Sequence, residues 1–429
     1  MATPTETRAL MERALTHAAA EHVTVSVNES EELATRIANN TITQNVERRD
    51  RSITVSAAFG NKVGHASDND LSDEGVRAVV HRAEEVARSV SPDPEYVPPP
   101  EPAGSYPQVD GCAGDTRAFT PDEAASAIGD AVGAARKARV TLAGRYRTSW
   151  SSEAIVNSRG LYHAEESTWA QYTNTAMTDD SSGWATSAAR SVSDVDVGAT
   201  VDSAIQKAKT GEAPRDVEPG AYTVILEPNA TYDLISTFFG VLDAKAAHEG
   251  RSCLSGKEGE TVAGENITIA SVPTHPDVGL SATIEAGLPA PEVKWIDRGK
   301  LANLRYSRYW ASEKDHAVTQ PVNFVMDGGK GSVDDLIAST ERGILVTRFW
   351  YIRFVDPMTF LLTGMTRDGL FWVEDGEVRH GITNLRFNES PLSVLANVEA
   401  MSAPARVGSP AMVPALKVGN FRFTSGTSF

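Results

Sequence analysis

Val23, Val25 and Val27 alternate with polar residues, and Ile53, Val55 and Ala57 do the same. A period of two sends every second side chain to one face, so both segments read as half-buried strands. Asn39-Asn40 lies between them, and such residues tolerate the left-handed backbone of a tight hairpin turn. The chain therefore begins as an antiparallel sheet with one apolar face to cover.

Helical periodicity surrounds these strands. Leu10, Met11, Ala14, Leu15 and Ala18 form one stripe, predicting a helix over 8–20. Val76, Val79, Val80, Ala83, Val86 and Val90 predict another over 72–90. Thr120-Pro121-Asp122-Glu123 is a capping box with proline at the first helical position. Ala125, Ile128, Val132 and Ala135 continue that helix. Strand character returns over 140–192, with a turn at Asn157-Ser158-Arg159-Gly160, and a helix follows at about 195–209.

Two stretches divide the chain. Residues 91–110 hold seven prolines. Proline fixes φ and removes a donor, so this is an extended arm or linker. The composition shifts again at Glu212-Ala-Pro-Arg-Asp-Val-Glu-Pro-Gly220, and the domain boundary is placed there: residues 1–214, then 215–429. Tyr222 to Leu226 reads as a buried strand, and a helix starting near Asn229 carries Leu234, Ile235, Phe238, Phe239 and Leu242. Beyond about 260, short strands alternate with turns such as Asp327-Gly328-Gly329 and Glu374-Asp375-Gly376. The fold class is α+β: an N-terminal domain of antiparallel strands with helices, then a β-rich, barrel-like or multi-sheet C-terminal domain.

Composition narrows the function. The net charge is −17, so phosphate backbones and anionic membranes are poor partners. No apolar run approaches the length of a membrane span, and no secretion signal is visible at the N-terminus. There are only two cysteines, Cys112 and Cys253, and no CxxC, so neither a thiolate zinc site nor a disulfide scaffold fits. A cytoplasmic location is expected.

His248-Glu249 begins a zinc-peptidase motif that is not completed. Two histidines four residues apart share a helix face, with the glutamate as general base. Here the fourth position after His248 is Ser252, and Cys253 follows it. Cys253 would sit about 140° round a helix from His248, and Gly250 between them more often ends a helix. The pair reads either as a helix exit or as a divergent site, with His248 and Cys253 as metal ligands and Glu249 as base. Trp350-Tyr-Ile-Arg-Phe354 and Arg305-Tyr-Ser-Arg-Tyr-Trp310 interleave aromatics with arginine and read as core or interface strands.

Several segments, in order, resemble the TldD/PmbA family of metallopeptidase-related proteins. They are Arg251 to Lys257, Asp335 to Val346, Phe349 to Pro357, Leu362 to Gly369, Val373 to Gly376 and Asn384 to Asn388. In the first half, the loop and helix from Ser67 to Val90, the proline-rich arm and Ile155 to Gly160 agree in layout.

The resemblance implies two kinds of subunit. TldD-like chains carry HExxxH and a C-terminal cysteine that hold zinc. TldE/PmbA-like chains share the fold without these ligands and pair with a TldD-like chain to cleave unfolded or modified peptides. The zinc helix is expected upstream of Arg251, where this chain reads Leu234 to Asp243 with no histidine. Glu399 to Pro404, where the cysteine is expected, has none. The resemblance thus implies the TldE/PmbA-like type, with no catalytic, cofactor or metal residue in this chain and zinc on the partner. The assembly is expected to be a heterodimer with that partner, or a homodimer. The alternative is a metal-dependent peptide or amide hydrolase using His248, Glu249 and Cys253.

Overall fold

The computed structural model of the chain describes residues 4–427. Residues 22–189 build a six-stranded antiparallel sheet from β1 (His22–Ala38), β2 (Thr41–Phe59), β3 (Lys62–Asp68), β4 (Thr141–Asn157), β5 (Tyr162–Met177) and β6 (Ser182–Ala189). Their spatial order is β3-β2-β1-β4-β5-β6. The hairpin expected at Asn39-Asn40 is present. Both residues take positive φ, 51° and 57°, and Val25 pairs with Val55 and Val27 with Ile53 across it. The Asn40 side chain donates to Val140 O at 2.9 Å and accepts from Leu142 N at 2.7 Å, tying the turn to the start of β4.

Helices cover one face of this sheet: α1 (Pro4–His17), α2 (Asp73–Ser89), α3 (Gly114–Ala118), α4 (Pro121–Ala138) and α5 (Val197–Thr210). Ser72 Oγ caps α2 by accepting from Gly75 N. Thr120 and Glu123 make both bonds of the capping box on α4. The first helix runs a few residues earlier than its apolar stripe suggests, since Glu6 in its first turn suits the positive end of the helix dipole.

Two apolar clusters lie beneath the helices. One joins Met11 and Ala14 of α1 and Val76 to Ala83 of α2 with Val25, Ile53 and Val55. The other joins Ile128 and Ala135 of α4 and Val201 and Ala204 of α5 with Leu142, Tyr146 and Tyr172. At each edge of the sheet a glycine lets a helix come close. A Cβ on Gly64 of β3 would lie 2.1 Å from Ala83 O of α2, and one on Gly183 of β6 would lie 2.3 Å from Ala204 O of α5.

The proline-rich arm is extended and fastened by its carbonyls, as a segment poor in donors must be. Asn157 Nδ2 donates to Pro100 O and Arg159 Nη1 to Pro99 O, both at 2.9 Å. Arg308 donates to Val97 O and Pro98 O. Tyr106 Oη reaches Gly287 O at 3.0 Å.

Residues 221–426 form two further sheets, and they close no barrel among the described residues. β7 (Ala221–Leu226) lies inside a nine-stranded sheet, parallel to Arg342–Val346 and antiparallel to Leu416–Gly426. A second sheet of six short strands includes Ile269–Ser271, Val293–Asp297 and Phe324–Met326. A large core joins them through Trp295, Phe324, Phe387 and Phe421. α6 (Pro228–Ile235) and the 3₁₀ turn Ser236–Val241 bury Leu234, Ile235 and Phe238 in this core.

Candidate functional site

His248 closes a short helix, α7 (Ala244–His248), capped by Asp243 accepting from Ala246 N. Gly250 then takes φ 75° and the chain turns away. Both ring nitrogens of His248 are engaged. Trp310 Nε1 donates to Nδ1 at 3.0 Å, and Nε2 lies 3.0 Å from Glu258 Oε2. An indole N–H can only donate, so Nδ1 accepts and the ring proton sits on Nε2, facing Glu258. Tyr306 Oη donates to Glu258 Oε1 at 3.1 Å. Burial, and then the Glu258 charge, push the Tyr306 phenol up to about 12.

The other two residues of the divergent-site reading are held by different surroundings. The Glu249 carboxylate is held by Arg251. Cys253 is 6% exposed and belongs to the large core with Ala247 and Leu254. Burial pushes its thiol up, although Ser252 and Lys257 work the other way. Neither ring nitrogen of His248 is free for a metal. Among the described residues, no three His, Cys, Asp or Glu side chains are arranged to hold a metal ion. The set His248, Glu249 and Cys253 therefore does not fit zinc as it stands.

A second constellation lies where α6 meets the strand Phe349–Asp356, and sequence reasoning missed most of it. Asp233 of α6 accepts from Phe349 N at 3.0 Å. Burial pushes its carboxyl up to about 6, against the lowering by that bond and by the charge of Arg348. The Arg348 guanidinium is 4.5 Å from the Trp184 ring centroid and 5.2 Å from that of Trp350. Its side chain is 17% exposed, and its ion contact with Asp368 is 3.9 Å, beyond hydrogen-bonding range. Arg367 lies 4.8 Å over Trp350 and 3.5 Å from the same Asp368 oxygen. Ser182 Oγ fixes the other oxygen of Asp368 at 2.9 Å. Thr231, on α6, and Thr347, beside Arg348, are fully buried, and their hydroxyls have no hydrogen-bond partner among the described residues.

Next to this junction the strand turns outward. Trp350, Tyr351 and Phe354 are 45%, 59% and 46% exposed, and Val355 and Met358 are exposed beside them. The Trp-Tyr-Ile-Arg-Phe run is therefore a surface strand rather than core. The only sequence signal for the junction was this interleaving of aromatics with arginine. Asp233 is hidden in an apolar helical stripe, and Trp184 stands far away on β6.

Comparison with known proteins agrees with this architecture. The family model of the PmbA/TldA metallopeptidase C-terminal domain matches residues 219–425, and that of domain 1 matches residues 23–87. The chain is 24% identical over 208 residues to a Methanothermobacter thermautotrophicus protein named a metalloprotease, the match covering 44% of each. It is 30% identical over 127 residues to an uncharacterised Methanocaldococcus jannaschii protein, covering 26% of this chain and 30% of that one. The chain thus spans under half the length of these curated relatives. Among solved structures, TldE from Thermococcus kodakarensis superposes with a TM-score of 0.87 at 20% identity, covering 97% of this chain and 99% of that one. A Thermotoga maritima protein described as a candidate modulator of a DNA gyrase gives 0.88 at 19% identity, covering 97% and 100%. These structures share the fold. With two family domains matched in order, the chain belongs to the PmbA/TldD metallopeptidase family.

Proposed function

We propose that this chain is a non-catalytic, TldE/PmbA-like subunit that supports cleavage of unfolded or modified peptides by a zinc-bearing TldD-like partner in the cytoplasm. The observation that carries the reading is the state of His248. Both its nitrogens are committed to Trp310 and Glu258, and α6, just upstream, has no histidine. Zinc, the general base and the activated water would belong to the partner. The domain boundary is proposed near residue 215, between the sheet built from 22–189 and those built from 221–426.

The role of this chain would be to help enclose the peptide and hold it by strand addition. One open edge supports this. β3 pairs with β2 only from Ile53 to Phe59, so residues 41–52 of β2 pair with β1 alone. Residues 41–51 are exposed on both faces.

The test is elemental analysis of the purified chain, with peptide cleavage assayed with and without a co-expressed HExxxH-bearing homologue. The expected result is no stoichiometric zinc in the chain alone and cleavage only in the mixture. Stoichiometric zinc lost on His248→Ala and Cys253→Ala, or cleavage by the chain alone abolished by Glu249→Gln, would overturn the reading.

A further inference from the structure

We propose that Arg348 is a receptor for a carboxylate group carried by a peptide, a deepening that rests on the peptide-binding role above. The ligand class is an extended peptide with a free carboxylate, either its C-terminus or an acidic side chain, next to apolar residues.

The chemistry starts from what Arg348 lacks. A guanidinium carries five N–H donors in a planar fork and is always charged. Here the side chain is largely sunk below the surface, and its ion contact with Asp368 is 3.9 Å long. Trp184 and Trp350 lie over the group, their ring centroids 4.5 and 5.2 Å away, and an indole carries a donor only, so neither ring can accept from the N–H fork. A mostly buried cation held by rings, with its fork short of a hydrogen-bonding acceptor, is suited to a bidentate carboxylate.

The neighbours keep the fork open. Asp368 is the nearest competitor, but Ser182 anchors one of its oxygens, and Arg367 shares the other at 3.5 Å. Asp233 takes its hydrogen bond from the Phe349 backbone, while its charge, like that of Asp368, also acts on Arg348. Arg367 adds a second cation over Trp350. Trp350, Tyr351 and Phe354 beside Arg348 supply apolar surface for adjoining side chains. Roughly half of three aromatic side chains offers a few hundred Å² of such surface.

The test titrates the full-length chain with N-acetyl-Ala-Ala-Phe as free acid, with its C-terminal amide, and with N-acetyl-Ala-Glu-Phe amide. Binding is followed by calorimetry and by tryptophan fluorescence. The free acid is expected to bind at least tenfold more tightly than the amide. Tight binding of the glutamyl amide would show that a side-chain carboxylate serves as well. Arg348→Gln should erase the acid preference. Arg348→Lys, which keeps charge but loses the fork, should retain a weakened preference, and the more exposed Arg367→Gln should reduce it several-fold.

Equal binding of all three peptides by the wild type, or no binding of any peptide, overturns the proposal whether or not the variants fold. Zinc content and partner-dependent cleavage are read separately. A chain that passes those tests but shows no acid preference loses only this site.

Discussion

Glu165 on β5 accepts a hydrogen bond from Ser281 Oγ at 2.6 Å, across 116 positions of sequence. The same carboxylate accepts from Ala282 N at 2.7 Å and Thr283 Oγ1 at 3.1 Å, and it lies 3.3 Å from His163 Nε2. One acidic side chain therefore fastens a turn of the C-terminal half to the first sheet. Burial works to raise its pKa, but the bonds from His163, Ser281 and Ala282 outweigh this and leave it below the ordinary carboxylate value.

Glu165→Gln should therefore destabilise the protein at pH 7 by about 1–3 kcal/mol, since it weakens several charge-assisted bonds. A carboxylate with a depressed folded pKa contributes stability above its unfolded value near 4.3 and loses it as pH falls through the folded value. The deficit of the variant should shrink below about pH 4. Denaturant unfolding at pH 7 and pH 3.5 measures both quantities, and equal midpoints at neutral pH would contradict the assignment.

Asp233 should show the opposite slope. Its folded carboxyl titrates at about 6, raised by burial, against roughly 3.9 in an unfolded chain. Between these values the folded state holds more protons, so stability falls as pH rises from about 4 to 6. Asp233→Asn should match the wild type near pH 4 and exceed it by on the order of 1–2 kcal/mol at pH 7. Unfolding curves that stay parallel across this range would remove the argument.

The glycines under the helices differ from those on them. Gly64→Ala and Gly183→Ala force a Cβ into the backbone of α2 or α5, and each should cost about 1–3 kcal/mol. Gly129 and Gly133 lie within α4, and a Cβ there would meet nothing within 4 Å. Gly129→Ala and Gly133→Ala should each stabilise by about 0.5–1 kcal/mol. Thermal unfolding of the four variants reads both signs in one experiment.

Thiol labelling distinguishes the two cysteines. Cys253 sits in the core and Cys112 is half-buried. Burial is the leading cause that raises both thiols, so both should react slowly with iodoacetamide, and Cys253 should stay unmodified in the native protein. Peptide mass analysis before and after urea checks this. Rapid native labelling of Cys253 would mean that its segment opens.

Local pattern was readable from the sequence where neighbours decide the structure. The helix over 72–90, the Thr120 capping box and the Asn39-Asn40 turn all appear with bounds within a residue or so, although Val86 of the predicted stripe is exposed, because caps, turns and periodicity act over a few positions. The helix exit at His248 was legible in the same way, through Gly250. The partners of His248 were not, since Glu258, Tyr306 and Trp310 come from separate segments. The stack of Arg348 on Trp184 was likewise out of reach. No periodicity records that a β6 side chain will meet a loop from the other half, and Asp233 reads as one polar position in an apolar helix.

The strand order β3-β2-β1-β4-β5-β6 has a consequence for synthesis on the ribosome. β1 pairs with β2 soon after both emerge, but its other edge awaits β4, whose residues lie more than a hundred positions later. At typical translation rates that edge stays unpaired for roughly 5 to 20 seconds in the nascent chain. During this interval Val23, Val25 and Val27 lie on an open strand, the kind that recruits other chains. Chaperone demand and aggregation during expression should therefore concentrate in this window, and a truncation ending before residue 141 should be less soluble than the full-length protein.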